Sequence, residues 1–176
     1  MTVKTDIQVT GLQDALRTIG KTDKVLRKQL TKDFTNAAAP MLEQAVNKLP
    51  KSAPLSGWAR NWRGKPLWTT ADAGKRAVRI KLDSRKPRYS LRPGQETVGA
   101  LRMQTRTRAT AVFDIAGKAN KPSTPQGEVL IQQLRAKHSA PSRFMWPAAE
   151  STINEVQNNL RPVIRKVMEA QNKALR

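Results

Sequence analysis

Two spacings of apolar residues alternate along this chain, one of about two residues and one of three to four, and they mark out its elements. Ile7-Gln8-Val9 reads as a short strand, and Gly11-Leu12 opens a short amphipathic helix through Ile19 that Gly20 closes. Thr22-Asp23 offers an N-cap for a second helix. Its apolar positions are Val25, Leu26, Leu30, Phe34, Ala37, Ala38, Met41, Leu42, Ala45, Val46 and Leu49, which fall on one stripe that Pro50 ends. Pro40 interrupts the stripe, and because the phase holds across it, a kink is expected rather than a break.

Residues 50–74 carry Pro50, Pro54, Gly57, Gly64, Pro66 and Gly74 and read as a loop. From Arg76 to Leu82 the period is two: Val78, Ile80 and Leu82 face one way, Arg79 and Lys81 the other. The alternation resumes over 98–108, with Leu101 and Met103 opposed to Arg102, Arg106 and Arg108. Ala109–Ile115 reads as a third strand with Phe113 and Ile115 inward. Between the first two strands, 83–97 has almost nothing to bury and is expected to be a basic loop or arm. After a loop over 117–126, a short helix is predicted over 128–137. Pro147 then opens a long final helix striped by Ala149, Ile153, Val156, Leu160, Ile164 and Val167, with Pro162 as a kink. The expected fold is a single α+β domain over 1–176. A small antiparallel sheet, apolar on one side and cationic on the other, packs against a long kinked N-terminal helix and a long C-terminal helix.

Charge adds what periodicity does not. The chain has 33 Lys and Arg against 13 Asp and Glu, a net charge of +20. Residues 51–110 hold 15 of the basic and 3 of the acidic side chains, so this third supplies +12 of the +20. Such self-repulsion opposes compaction and favours binding to polyanions. The candidate phosphate-facing set is Arg79, Lys81, Arg85, Lys86, Arg88, Arg92, Arg102, Arg106 and Arg108. Contacts of that kind are sensitive to salt and indifferent to base sequence.

Catalytic chemistry finds little material. With no cysteine, disulfides, thiolate nucleophiles and thiolate metal sites are excluded. His138 is the one histidine, in a Lys/Ser/Pro-rich stretch. The carboxylates Asp72, Asp83, Glu96, Asp114 and Glu128 form no motif that holds two at a working distance, and Glu150 and Glu155 fall on different helix faces. No glycine-rich phosphate loop matches a known fingerprint. No enzyme, metal or cofactor is therefore expected. Nor does any stretch approach the roughly 18–20 apolar residues of a membrane span, so a cytosolic product or a particle assembled there is expected. Trp58 and Trp62 could stack on bases, but beside Leu55 and Leu67 they fit a core or subunit interface better. Trp146 reads as a hydrophobic staple at the start of the last helix. Trp58, Trp62, Phe144 and Trp146 are the candidates for packing against neighbouring subunits.

Three segments, in their order, carry a resemblance. They are Gly11-Leu12-Gln13-Asp14-Ala15-Leu16; Ala37-Ala38-Ala39-Pro40 leading through Leu49-Pro50 to Ser56-Gly57-Trp58-Ala59-Arg60; and Arg143-Phe144-Met145-Trp146-Pro147-Ala148-Ala149-Glu150 before a long helix. The chain resembles the tail-completion, or minor tail protein Z-like, family of long-tailed bacteriophages. What the resemblance implies is a homo-oligomeric ring, of six subunits, in the virion neck between the head connector and the tail tube. Its partners would be the connector or stopper, the tail terminator, the tail tube and genomic DNA, with no active site and no membrane. Composition alone also fits a ribosomal or nucleoid-type nucleic-acid-binding protein.

Overall fold

The computed structural model describes residues 4–62, 64–83, 98–118 and 124–174. Its elements begin with β1 (Lys4–Thr10), α1 (Leu12–Thr22), α2 (Lys24–Ala37), α3 (Ala39–Asn47), α4 (Ser56–Ala59), β2 (Asn61–Trp62) and β3 (Lys65–Pro66). They continue with α5 (Thr70–Ala73), β4 (Val78–Asp83), β5 (Val98–Thr105), α6 (Arg108–Ile115), α7 (Pro125–His138) and α8 (Met145–Ala174). The fold is α+β, with a three-stranded sheet in the order β1-β5-β4 and a separate two-stranded ribbon of β2 and β3. Contacts group the residues into two compact units, with divisions inside β1, α3, β4, β5 and α8.

One unit comprises Asp6–Pro40, Ile80–Arg102 and Ile153–Arg176. Asp23 joins its first two helices. The Asp23 N–H donates to the Ile19 carbonyl at 2.7 Å, while its Oδ1 accepts from the N–H groups of Val25 and Leu26 at 2.8 and 2.9 Å. One residue thus satisfies open backbone groups at the end of α1 and the start of α2. Gly20 does not close α1, which runs on to Thr22. A Cβ at position 20 would stand 2.5 Å from Arg27 Cδ, so the glycine admits a close-lying side chain instead of reversing the chain. Pro40 divides the long stripe and does not merely kink it. α2 ends at Ala37, Ala38 caps it, and Pro40 falls in the first turn of α3, where its missing N–H breaks no helical bond. Asn159 of α8 donates to the Ala37 carbonyl at 3.4 Å, at the end of α2.

The core of this unit holds Leu12, Leu16 and Ile19 of α1, Leu30 and Phe34 of α2, and Val156, Leu160, Val163 and Val167 of α8. Val25, expected on the buried stripe, is 77% exposed. On α8 the stripe passes through Val163, leaving Ile164 half-buried and Ile153 partly exposed, and the chain stays helical through Pro162. Leu82 and Leu101 are buried while Lys81 is exposed and Arg102 half-buried, as a two-residue period requires.

The other unit comprises Met1–Thr5, Met41–Arg79 and Met103–Thr152. The stretch 50–74, expected to be a loop, is folded into two single-turn helices and a tight ribbon pairing Asn61 with Pro66 and Trp62 with Lys65. Gly64, at φ 94°, takes the left-handed conformation this reversal needs. Trp58 and Trp68 pack inward at a tilt of 38°, 5.9 Å between ring centroids, and Trp68 meets Phe113 edge-on at 5.8 Å. Phe113 in turn stacks on Phe144 at 6.2 Å and meets His138 edge-on at 5.3 Å. His138 Nε2 lies 3.0 Å from the Pro54 carbonyl, which anchors the end of α7 to the folded 50–74 stretch.

Ala109–Ile115 is not a third strand. It lies in α6, whose N-cap Thr107 accepts from the Thr110 N–H at 3.2 Å. The buried residues are Thr110, Ala111, Phe113 and Asp114, a helical set; a strand would have buried every second position. The third strand is β1, beside β5. Thr124 caps α7, which places Pro125 in its first turn and starts the helix three residues before the predicted Glu128. α8 likewise begins at Met145, two residues before Pro147.

Candidate nucleic-acid interface

The interior of this second unit accounts for its buried charges. Asp72, 4% exposed, closes a capping box: its Oδ2 accepts from the N–H of Thr69 at 2.8 Å and from the Thr69 hydroxyl at 2.7 Å. Asp114 is fully buried and acts across 30 residues of sequence, its Oδ1 accepting from the N–H groups of Phe144 and Met145 at 2.9 and 3.2 Å. It therefore caps the start of α8, where backbone donors have no intrahelical partner. Arg143 does the converse for α6. Its Nη1 donates to the carbonyls of Phe113 at 2.6 Å and Ala116 at 3.2 Å, and its Nη2 to Ala116 at 3.3 Å. The Ser142 N–H adds a bond to the Asp114 carbonyl at 2.6 Å. The Arg143-Phe144-Met145 segment is thus a clasp between the end of α6 and the start of α8.

Burial pushes the Asp114 carboxyl above its ordinary value of 3.8, against the opposing pull of two backbone donors and the nearby Arg143 guanidinium. Burial also lowers Arg143, with Asp114 acting against it. Both carboxylates are buried and accept from backbone N–H groups.

Outside, the same unit gathers positive charge at one end of the β4–β5 ladder. The Ala77 N–H donates to the Gly74 carbonyl at 2.9 Å, closing a turn whose two central residues are Lys75 and Arg76. The Ala77 carbonyl accepts from the Arg106 N–H at 2.7 Å, and two residues on Arg79 Nη2 donates to Gln104 Oε1 at 3.1 Å. One residue number rises as its partner's falls, so the strands are antiparallel here. Arg108 follows as the first residue of α6. Lys75, Arg76, Arg79, Arg106 and Arg108 are all exposed, and Asp72, three residues before Lys75, is buried in its capping box.

This corner contains three of the nine predicted phosphate contacts, Arg79, Arg106 and Arg108, but only Arg79 belongs to a strand. Arg106 lies in the bend after β5 and Arg108 on α6, so the predicted single cationic sheet face does not extend to them. Lys81 and Arg102 lie in the first unit. Arg85, Lys86, Arg88 and Arg92 fall outside the described residues. Lys75 and Arg76 were not named: Lys75 precedes the alternation, and Arg76 falls in phase with its apolar face, beside Val78; the signal available was Gly74 opening a turn. Among the interface candidates, Phe144 is fully buried and Trp58 is 8% exposed, so both belong to the core. Trp146 is 58% exposed and is not a staple tucked beneath the helix start. The side chain of Trp62 falls outside the described residues.

Among the described residues no group of three or more His, Asp or Glu side chains is placed to hold a metal ion, and no helix is long and apolar enough to cross a membrane. No protein-family model, curated protein or solved structure matches the chain.

Proposed function

We propose that this protein is a structural component of the phage neck, forming a homo-oligomeric ring that completes the tail end and joins it to the head connector. The observation that carries the reading is the cationic corner: five exposed Lys and Arg side chains on two short segments, 74–79 and 104–108, that contain no acidic residue. The resemblance of the Gly11-Leu12, Ala37–Pro40 and Arg143–Glu150 segments to tail-completion proteins supplies the setting. Repeated around a lumen, such corners hold phosphates at any rotational register and read no bases, which suits DNA that must later slide through. The chain then works by charge and assembly, with no bond made or broken.

Removing the gene from its phage tests this. Filled heads and complete tails that fail to join are expected, and electron microscopy of intact particles is expected to place a ring of this chain between them. Joined, infectious particles without the protein would refute the proposal. Light scattering at high salt, with and without nuclease, separates this reading from a ribosomal or nucleoid-type protein: a ring persists after nuclease, whereas a nucleic-acid-dependent monomer points to the alternative.

A further inference from the structure

We infer that the corner formed by Lys75, Arg76, Arg79, Arg106 and Arg108 is a docking surface for the backbone of double-stranded DNA, preferred over single strands. The inference deepens the neck reading by naming the form of nucleic acid at its site.

Two features single out a phosphate backbone as the ligand. First, the five cations sit on short, fixed pieces of backbone. Lys75 and Arg76 are at the tip of a closed turn, Arg106 is hydrogen-bonded into the ladder beside Ala77, and Arg108 opens a helix capped by Thr107. The charges are thereby held together at one place and not spread over a mobile tail. Second, Arg79 is exposed and its guanidinium, which carries five N–H donors, gives one to Gln104.

The preference for a duplex comes from the aromatics. Single-strand binding relies on exposed rings on which bases stack. Trp58, Trp68 and Phe113 of this unit are instead buried against one another at 8%, 5% and 2% exposure. The segments that carry the five cations, 74–79 and 104–108, contain no aromatic residue, so the corner offers charge without a stacking platform of its own. A charge-only site gains more from a duplex, which carries one phosphate per roughly 1.7 Å of axis and releases about 0.9 counterion per neutralised phosphate, against about 0.7 on a single strand.

The test uses the full-length protein and fluorescence anisotropy with a 20-base-pair DNA duplex and its single strand, over roughly 50–200 mM salt. Tighter binding to the duplex is expected. In the variant Lys75→Ser/Arg76→Ser/Arg106→Ser, the slope of log K against log salt should become shallower by about 2.7, at about 0.9 for each lost contact. A control variant with the same charge change on the exposed face of α2, Lys24→Ser/Lys28→Ser/Lys32→Ser, should leave the slope within about one of the parent. Equal losses in both variants would show that only net charge matters and would overturn the inference, as would tighter binding to the single strand or to an acidic polypeptide. The single substitution Arg76→Gln, at a turn tip, provides a second test if the triple variant fails to fold; it should lower the slope by about 0.9, and no change would count against the corner. A neck ring whose corner ignores duplex DNA would overturn this inference alone. Salt-labile duplex binding at the corner by a protein absent from the neck would overturn the neck reading alone.

Discussion

Removing the Asp114 side chain should cost more than removing its charge. Asp114→Ala takes away the one acceptor that serves both the Phe144 and Met145 N–H groups at the start of a 30-residue helix. Losing an N-cap costs about 1 kcal/mol, and leaving a buried donor unsatisfied adds about 1–3 kcal/mol, partly offset because a costly buried carboxylate disappears. A net loss of about 2–3 kcal/mol at neutral pH is expected, a fall of roughly 4–12 °C in Tm for a chain of this size. Asp114→Asn keeps an oxygen for the two donors and mimics the neutral form that burial favours. Its stability at neutral pH should equal or exceed that of the parent. The sign with pH follows from the raised folded value: between the ordinary 3.8 and that value, the folded state binds more protons than the unfolded state. The contribution of Asp114 is therefore fully present below 3.8 and is lost as pH rises through the folded value. Urea melts followed by circular dichroism at several pH values, at constant salt, measure both effects. If Asp114→Asn proves as damaging as Asp114→Ala at neutral pH, the charge and not the acceptor holds α8, and the capping account is wrong.

Three further outcomes are expected. Gly117→Ala should destabilise by about 2–3 kcal/mol in the same melts, because φ is +89° and the added Cβ would lie 2.7 Å from Ile131 Cγ2; an effect below about 0.5 kcal/mol would contradict the geometry. Thr107→Ala should cost about 1 kcal/mol by removing the cap of α6, with Thr107→Ser recovering most of it. Trp146→Ala should leave stability within about 0.5 kcal/mol, since the ring is 58% exposed, but should reduce the oligomer seen by sedimentation; an unchanged oligomer removes Trp146 from the interface.

The long periodic segments were legible because their stripes are redundant. α2, α3 and α8 each carry several apolar residues in phase, so a misplaced Val25 or Ile164 does not alter the helix assignment. Ala109–Ile115 was not legible by the same rule. Ala109, Ala111, Phe113 and Ile115 satisfy a period of two, and the competing signal, Thr107 as a cap, is a single residue. The 50–74 stretch misled differently: its glycines and prolines do mark turns, but they say nothing of two tryptophans turning inward between them. The cationic corner was half visible. Arg79, Arg106 and Arg108 could be named from charge, but their meeting with Lys75 and Arg76 depends on an antiparallel register that pairs Ala77 with Arg106. The Asp114–Arg143 clasp had no local signature, because each half serves backbone groups about 30 residues away.

The scarcity of acids and the excess of bases are two sides of one arrangement. Asp23, Asp72 and Asp114 each accept from backbone N–H groups at the start of a helix, or at its N-cap. A carboxylate in that position stabilises the positive end of the helix, and where it is buried it does so away from the surface cations. These three carboxylates are thus placed where the backbone requires acceptors, and buried Arg143 serves backbone carbonyls in the same way. At the corner, five exposed cations stand on two short segments, 74–79 and 104–108. Neither of these two segments contains an acidic residue to screen those charges. A dense, mobile polyanion can do so without a shape-matched site, and a DNA duplex meets that requirement.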